Sequence, residues 1–365
     1  MTGTDTRHMR HALALAARGL GRVWPNPAVG CVIERGGRVL GRGWTQPGGR
    51  PHAETVALAQ AGAAAGGATA HVTLEPCSHH GRTPPCADAL IAAGVARVVV
   101  ALGDPDPRVN GQGIARLRAA GIEVTVGVLE AEARALQAGF LSRVTAGRPM
   151  LTLKLATSLD GRIATATGES RWITGPEARR RVHALRAAHD AVMVGAGTAR
   201  ADDPVLTVRG LGVTHQPVRV ILSRRLDLPG DGALAASARD APLWLCHGAE
   251  AGEVARAPWA ARGARLIEVP VVAGHLDVGA ALAALGQAGL TRVFCEGGGQ
   301  LAAALLSAGL VDRLVTFSAG VALGAEGQPA LGAMGLDRLA EAPRFDLLRA
   351  EPVGGDVMQV WARRS

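Results

Sequence analysis

Apolar residues in the first part of the chain recur alternately at helical and at strand spacing. The pattern predicts, in chain order, a helix at 9–20, strands at 28–33 and 39–44, a helix at 52–64, a strand at 71–74, a helix at 86–93 and a strand at 97–101. The pair Gly36-Gly37 between the first two strands is typical of a tight hairpin turn. Alternation of this kind indicates an α/β domain.

A short polar stretch at 143–149, containing Gly147 and Pro149, interrupts the pattern. Beyond it the sequence predicts strands at 150–156, 191–195, 218–222, 243–246 and 292–295, with helices at 176–188 and 300–308. Such alternation favours a mostly parallel sheet. We therefore expect an α/β protein of two domains, residues 1–146 and 149–365.

Composition narrows the class of protein. With 48% apolar and 19% charged residues, the chain can bury a core and is not disordered. The net charge of +8 permits an acidic ligand, but 3% aromatic residues provide few stacking platforms for single-stranded nucleic acid. Lys154 is the only lysine, although Lys and Arg together number 39. This position therefore favours a compact ammonium over a guanidinium.

Five cysteines, an odd number, are too few for a disulfide scaffold and suggest a reducing compartment. The first residues contain no apolar leader segment, and no stretch of 18 apolar residues occurs without interruption. These features predict a soluble cytoplasmic protein without a membrane partner.

One group of residues has the spacing of a hydrolytic zinc site. His52 and Glu54 open a predicted helix, and Cys77 follows a predicted strand, with Cys86 at the start of the next helix. Catalytic zinc needs three protein ligands and one open position, which His52, Cys77 and Cys86 supply. Glu54 would then move protons between the attacking water and the leaving amine. This combination is the signature of zinc-dependent nucleoside deaminases.

Two other interpretations of these residues remain open at this stage. The cysteines could be small buried hydrophobic residues, as we expect for Cys31, Cys246 and Cys295 in their apolar strands. A structural zinc site would need a fourth ligand, for which His79 or His80 is available.

The two site cysteines are nine residues apart, with the loop Ser-His-His-Gly-Arg-Thr-Pro-Pro between them. Together with Pro-Asn-Pro-Ala-Val-Gly at 25–30 and Asp-Pro-Asp-Pro at 104–107, this loop resembles the deaminase domain of the bifunctional pyrimidine deaminase/reductase family of riboflavin biosynthesis. The resemblance implies a cytidine-deaminase-like three-layer fold. It also implies hydrolysis of a ring amine on a diaminopyrimidinone that carries a phosphoribosylamino group, with substrate contacts from Asn26, His79 and Arg82. Between two prolines, Asn26 is equally typical of a turn.

A second candidate site consists of glycine turns that follow predicted strands. Strand 191–195 runs into Gly195 and Gly197, and strand 292–295 is followed by Glu296 and three successive glycines. Such turns at a helix N-terminus expose amides to a phosphate, although an ordinary tight turn explains the first of them equally well. After strand 218–222 come Ser223 and two arginines, which suit the 2′-phosphate of NADPH or form a solvated basic turn.

The segments 154–164, 168–174 and 202–209 resemble the reductase half of the same family, which implies a dihydrofolate-reductase-like domain. The resemblance implies NADPH contacts from Ala156, Trp172, Thr198, Asp202, Ser223, Gly297, Gly298 and Gly299. It implies substrate contacts from Ser170, Arg186, Leu206, Arg209 and Glu296. Lys154 is a candidate catalytic residue that polarises or protonates the reacting group, with a salt-bridge lysine at a strand end as the alternative.

Taken together, the motifs predict a bifunctional enzyme of riboflavin biosynthesis that uses Zn²⁺ and NADPH. It would deaminate the phosphoribosylaminopyrimidine and then reduce the ribosyl group to a ribityl chain. The alternatives are a tRNA-type nucleic-acid deaminase with an accessory nucleotide-binding domain and a non-enzymatic zinc-stabilised binding protein. The expected partner is a phosphorylated pyrimidine rather than nucleic acid. The resemblance also implies a homodimer formed through the reductase domain.

Overall fold

The chain divides into two compact units, residues 1–147 and 148–365. The computed structural model describes residues 3–79 and 84–364. Of the helices in these ranges, none combines the length and the apolar character that crossing a bilayer requires.

The first unit is built on one five-stranded sheet. Its strands are β1 (Gly30–Arg35), β2 (Arg38–Trp44), β3 (Thr69–Val72), β4 (Arg97–Val100) and β5 (Glu123–Val126). Its helices are α1 (Gly3–Ala16), α2 (Ala53–Ala61), α3 (Cys86–Ala92), α4 (Gln112–Ala119) and α5 (Glu130–Ala146). The strand order is β2-β1-β3-β4-β5, with β1 antiparallel to both of its neighbours and β3, β4 and β5 parallel.

Helices cover both faces of this sheet. A Cβ on Gly30 would lie 1.9 Å from the carbonyl oxygen of Ala12, so one face of β1 packs directly on α1. The next residue of β1, Cys31, lies opposite Gly43 of β2, so the two point to the same face of the sheet. A Cβ on Gly43 would meet α2. Because neighbouring strand residues point to opposite faces, α1 and α2 lie on opposite sides. The predicted three-layer fold is confirmed.

The second unit contains a nine-stranded sheet and two small ribbons. Its strands are β6 (Met150–Ser158), β7 (Arg162–Ala164), β8 (Ala191–Gly195), β9 (Val218–Leu222), β10 (Leu243–His247), β11 (Arg265–Glu268), β12 (Val271–Val272), β13 (His275–Leu276), β14 (Arg292–Cys295), β15 (Arg313–Ala319), β16 (Gln328–Pro329), β17 (Phe345–Val353) and β18 (Asp356–Arg363). Its helices are α6 (Pro176–Ala187), α7 (Ala196–Asp202), α8 (Ala233–Ala236), α9 (Glu253–Ala261), α10 (Val278–Gln287) and α11 (Gly299–Ser307).

The large sheet has the order β11-β10-β9-β8-β14-β6-β15-β18-β17. All pairs from β11 to β15 are parallel, and the last two strands form an antiparallel hairpin at the edge. The central strands are buried, with Val192, Ile221 and Leu245 almost fully enclosed. The predicted mostly parallel sheet is confirmed, and the carboxyl ends of its central strands share one edge.

Helix α5 is not among the predicted elements. It runs into the polar stretch at 143–149, through Ala146, and ends at Gly147, whose φ is +68°. The buried side of α5 includes Gln137 and Gly139 as well as Phe140. Polar and small residues on the buried side weaken the apolar periodicity from which a helix is recognised.

Candidate active sites

Close packing of α2 on β2 sets the position of His52 and Glu54. His52 is the extended residue that precedes α2, and Glu54 lies in the first turn of that helix. The helix approaches β2 so closely that a Cβ on Gly43 would come within 2.0 Å of the carbonyl oxygen of Ala53. Glycine at position 43 therefore permits the contact that holds the beginning of α2.

The structure brings the three expected metal ligands together. The ligand atoms of His52, Cys77 and Cys86 all lie within 4.8 Å of one another. Nδ1 of His52 is 3.3 Å from Sγ of Cys86 and 3.7 Å from Sγ of Cys77. A tetrahedral zinc ion with ordinary bond lengths places a nitrogen and a sulfur ligand about 3.6 Å apart. The donor set and its spacing therefore fit zinc, with three protein ligands and room for a fourth.

Hydrogen bonds favour the thiolate form of Cys77. The Cys86 thiol, His52 and the backbone N–H of Cys86 all donate toward its sulfur, and together they lower the pKa of Cys77 to about 4. The same contact with Cys77, followed by burial, raises the pKa of Cys86 well above the ordinary value for a thiol. Without a metal, the two cysteines therefore carry one negative charge between them. A divalent cation bound to both sulfurs would stabilise both as thiolates.

Glu54 is enclosed beside these ligands, with a side chain that is 3% exposed. Burial, followed by the negative charge of Cys77, raises the pKa of Glu54 to about 7. A carboxyl group with this pKa can both accept and donate a proton near neutral pH. The remaining cysteines, Cys31, Cys246 and Cys295, are completely buried in strands, as predicted.

Two of the three residues expected to contact the pyrimidine are described by the structure. Asn26 packs against the loop that leads into His52: a Cβ on Gly49, whose φ is +84°, would be 1.8 Å from Nδ2 of Asn26. Nδ1 of His79 is buried and has no hydrogen-bond partner among the described residues. Arg82 and the alternative ligand His80 belong to segment 80–83, outside the described residues.

In the second unit, the two predicted glycine turns touch each other. They follow the adjacent parallel strands β8 and β14. A Cβ on Gly297 would lie 2.8 Å from the backbone nitrogen of Gly195, and the N–H of Gly298 donates to Oγ1 of Thr198 at 3.0 Å. Helix α11 begins at Gly299 without a side-chain cap. This cradle of backbone amides at a helix N-terminus fits the diphosphate of a dinucleotide.

Beside the turns, Arg186 and Glu296 form a nearly buried ion pair. Nε and Nη2 of Arg186 donate to the two carboxylate oxygens of Glu296 at 2.5 and 3.1 Å, and Nη1 donates to the carbonyl of Thr207 at 2.9 Å. Burial would raise the pKa of Glu296, but Arg186 and then Lys154 outweigh it and the pKa is lowered. Desolvation lowers the pKa of Lys154, opposed by the charge of Glu296. Lys154, Arg186 and Glu296 thus form one electrostatic cluster.

Three other residues predicted to bind the dinucleotide lie outside the two glycine turns. The hydroxyl of Ser223 is buried and donates to Asp227 at 3.0 Å, so it does not face open space. Trp172 is 69% exposed and stacks under Arg179, with 4.6 Å between the guanidinium carbon and the ring centre. Asp202 is the last residue of α7, and its carbonyl accepts a hydrogen bond from Arg171.

The remaining positions are half-buried or lie on loops. Ala156 is in β6, two residues after Lys154, and Ser170 is half-buried near the start of the segment leading to α6. Leu206 is buried with a φ of +58°, and Arg209 in the same segment is exposed, its backbone N–H donating to His183 at 3.2 Å.

Sequence reasoning missed two polar residues close to the metal ligands. Glu75, directly before Pro76 and Cys77, binds backbone amides of a loop and helix 29 to 39 residues later in the chain. Arg116 reaches the backbone of Ser78 from α4. Glu75 is visible in the Glu-Pro-Cys motif, but nothing local indicates which distant amides it meets.

Family comparisons agree with this arrangement. Residues 2–102 match the family described as the cytidine and deoxycytidylate deaminase zinc-binding region, and residues 149–359 match the RibD C-terminal domain. Riboflavin biosynthesis protein RibD of Escherichia coli strain K12 is 43% identical over 374 residues, covering 97% of this chain and 98% of that protein. The Aquifex aeolicus RibD is 40% identical and covers 98% of both chains.

Solved structures give the same result. RibD of Acinetobacter baumannii superposes with a TM-score of 0.89 at 40% identity, covering 99% of both chains. A diaminohydroxyphosphoribosylaminopyrimidine deaminase/5-amino-6-(5-phosphoribosylamino)uracil reductase from Thermotoga maritima superposes with a TM-score of 0.86 at 34% identity, also over 99% of both chains. Similarity extends through both units and both candidate sites, and the chain therefore belongs to the RibD family.

Proposed function

We propose that the two sites catalyse successive reactions on one phosphorylated pyrimidine. Membership of the family makes the chain a bifunctional enzyme of riboflavin biosynthesis, with a zinc-dependent deaminase and an NADPH-dependent reductase. The deaminase assignment is supported chiefly by the ligand atoms of His52, Cys77 and Cys86, which lie within 4.8 Å of one another, and by the buried carboxyl group of Glu54. The match over nearly the whole chain favours this function over a nucleic-acid deaminase with an accessory domain.

In the first reaction, 2,5-diamino-6-(5-phosphoribosylamino)pyrimidin-4(3H)-one and water give ammonia and the corresponding uracil. His52, Cys77 and Cys86 hold zinc, which when bound makes water a nucleophile at neutral pH. Glu54 accepts the proton of the attacking water and transfers it to the leaving amine, since its carboxyl group is enclosed and is not a ligand. Asn26, His79 and Arg82 orient the pyrimidine and its phosphate. The buried Nδ1 of His79, which has no partner among the described residues, supports this role.

In the second reaction, the ribosyl group opens and its C1 is reduced, giving 5-amino-6-(5-phosphoribitylamino)uracil. NADPH, when bound, supplies the hydride. Lys154 donates the accompanying proton or polarises the opening group, since desolvation makes its ammonium a better acid. Arg186, Arg209 and Glu296, with Ser170 and Leu206, hold the substrate.

NADPH binds along the adjoining glycine turns. Gly297, Gly298, Gly299 and Thr198 face its diphosphate, while Ala156, Trp172 and Asp202 contact the rest of the molecule. The end of β9 selects the 2′-phosphate: Ser223 is followed by Arg224 and Arg225, both paired with Glu250. Arg225 is 64% exposed, which leaves donors for a phosphate.

The proposal extends to assembly and location. Strand β17 is the edge of the large sheet and carries Leu347 and Leu348, which are 51% and 57% exposed. An exposed apolar edge supports a homodimer through the reductase unit, and Leu347→Asp would convert it to monomers in sedimentation velocity. Five unpaired cysteines support a reducing compartment, the cytoplasm. We propose no nucleic-acid partner.

Two variants separate the activities. Glu54→Gln should lower deamination by about 100-fold or more while zinc content and reduction of the deaminated substrate stay unchanged, because general acid–base groups contribute about that much. Lys154→Met should lower reduction by a similar factor and leave deamination intact. Loss of both activities in either variant, or of neither, would contradict the assignment of the two sites.

A further inference from the structure

Glu75 is almost completely buried, with 4% of its surface exposed, and lies two residues before Cys77. Its Oε1 accepts backbone N–H groups of Gly113 at 2.9 Å and Ile114 at 3.1 Å. Its Oε2 accepts those of Gly111 at 3.0 Å and Asp104 at 3.3 Å. A carboxylate has about four acceptor positions, and here all four are used by backbone amides.

These bonds attach the beginning of α4 to the segment that carries Cys77. Gly111 precedes α4, and Gly113 and Ile114 lie in its first turn, where amides have no partner within the helix. A carboxylate at this end is also favoured by the helix dipole. Contact is direct: a Cβ on Gly113 would lie 2.0 Å from the carbonyl oxygen of Pro76. The helix thus abuts the residue next to the metal ligand.

One turn further along α4, Arg116 holds both cysteine-bearing segments. Its Nη1 donates to the carbonyl of Ser78 at 3.3 Å, and its Nε is 2.6 Å from a carboxylate oxygen of Asp88. Ser78 follows Cys77, and Asp88 is in α3, two residues after Cys86. Helix α4 therefore contacts the chain beside each thiolate ligand.

We propose that Glu75 is a positioning residue of the deaminase site, acting with Arg116 through α4. It is not one of the three ligands, and its carboxylate oxygens are taken up by backbone amides. Its carboxylate fixes the Cys77 segment against α4, and Arg116 fixes α4 against α3, so the two sulfurs stay at the separation that a single tetrahedral ion needs. Groups that support the ligands of a metal commonly change its affinity when they are lost. This inference rests on the proposed zinc site.

The test is Glu75→Gln in the full chain. Glutamine keeps the shape, but its amide nitrogen donates instead of accepting, so two of the four N–H groups lose their partner. We expect the zinc dissociation constant, measured by chelator competition, to rise about 10-fold or more. The cobalt-substituted protein should show a weaker tetrahedral absorption band, and deaminase kcat should fall while NADPH-dependent reduction is unchanged. Glu123→Gln, an exposed acid in the same unit, is the control and should match wild type.

If Glu75→Gln folds poorly, zinc binding is measured instead in Arg116→Met. Arg118→Met, on the same helix, is the control for this variant. Arg118 is exposed, and the one hydrogen bond of its side chain within the described part of the chain is to the carbonyl of Val124 at 3.5 Å. We expect weaker zinc binding in Arg116→Met than in Arg118→Met. Unchanged zinc affinity and cobalt spectrum in Glu75→Gln, even with a lower unfolding temperature, would overturn the proposal. A wild-type chain that binds zinc without deaminating would instead refute the proposed function.

Discussion

The contact between the two glycine turns of the reductase unit makes a quantitative prediction for Gly297→Ala. The added Cβ would lie 2.8 Å from the backbone nitrogen of Gly195, 2.9 Å from Cα of Val194 and 3.1 Å from Cδ2 of Leu301. Two of these neighbours are backbone atoms, which cannot rotate away as a side chain does. The turns must therefore separate by about 0.6 Å to restore ordinary van der Waals contact.

Overpacking of this kind costs about 1–3 kcal/mol. The same displacement lengthens the hydrogen bond between Gly298 and Thr198, now 3.0 Å, to about the limit of a useful bond. Because the displacement changes the turns that receive the dinucleotide, we expect the KM for NADPH to rise about 5- to 150-fold. The deaminase unit contains none of these atoms, so its activity should not change.

The assay is steady-state reduction of the deaminated substrate with varied NADPH, alongside deamination and zinc content of the same sample. Gly230→Ala is the matched control, because a Cβ there meets nothing within 4 Å. An unchanged KM for NADPH in Gly297→Ala would refute the assignment of these turns to the cofactor. Equal loss of both activities would show general unfolding instead.

Three further predictions test other parts of the account. Gly49→Ala should raise the KM for the diaminopyrimidinone, because the added Cβ would displace Asn26. Gly48→Ala is the control: its φ is also positive, but a Cβ there meets open space, so the KM should rise much less. Equal effects of the two variants would contradict a role for Asn26. Burial lowers the pKa of His189 to about 3 from 6.5, so between these values the unfolded chain binds a proton that the folded chain does not. The free energy of unfolding therefore falls as the pH drops below 6.5, by on the order of 2 kcal/mol at pH 5. Chemical unfolding of His189→Gln should show no such fall. Arg186→Lys should raise the KM for the phosphorylated substrate about 10-fold with little change for NADPH, since lysine lacks the forked donors; equal rises in both KM values would argue against a substrate contact.

Short-range pattern was sufficient to predict central strands of both sheets and the metal ligands. Strands at 191–195, 218–222 and 292–295 have the bounds expected from their apolar runs. The spacing of His52, Cys77 and Cys86 was interpretable because zinc demands a fixed ligand number. Helix α5 was missed, since Gln137 and Gly139 lie on its buried side.

Contacts between distant segments could not be predicted from the chain alone. Glu75 accepts hydrogen bonds from amides 29 to 39 residues away. Position 49 requires glycine because Asn26 occupies the space that a Cβ would need, and this contact is not apparent from the sequence. Ser223 followed a strand as expected, but its hydroxyl turns toward Asp227. Each of these depends on tertiary packing, which a local pattern does not encode.

The most direct test of two ordered activities in one chain is the product mass formed from the diaminopyrimidinone phosphoribosylamine by zinc-loaded protein. Without NADPH, we expect a product in which one amine is replaced by oxygen and nothing more. With NADPH, we expect the same change followed by addition of two hydrogens. No change in either case would contradict two ordered activities in this chain, as would addition of hydrogen without loss of the amine.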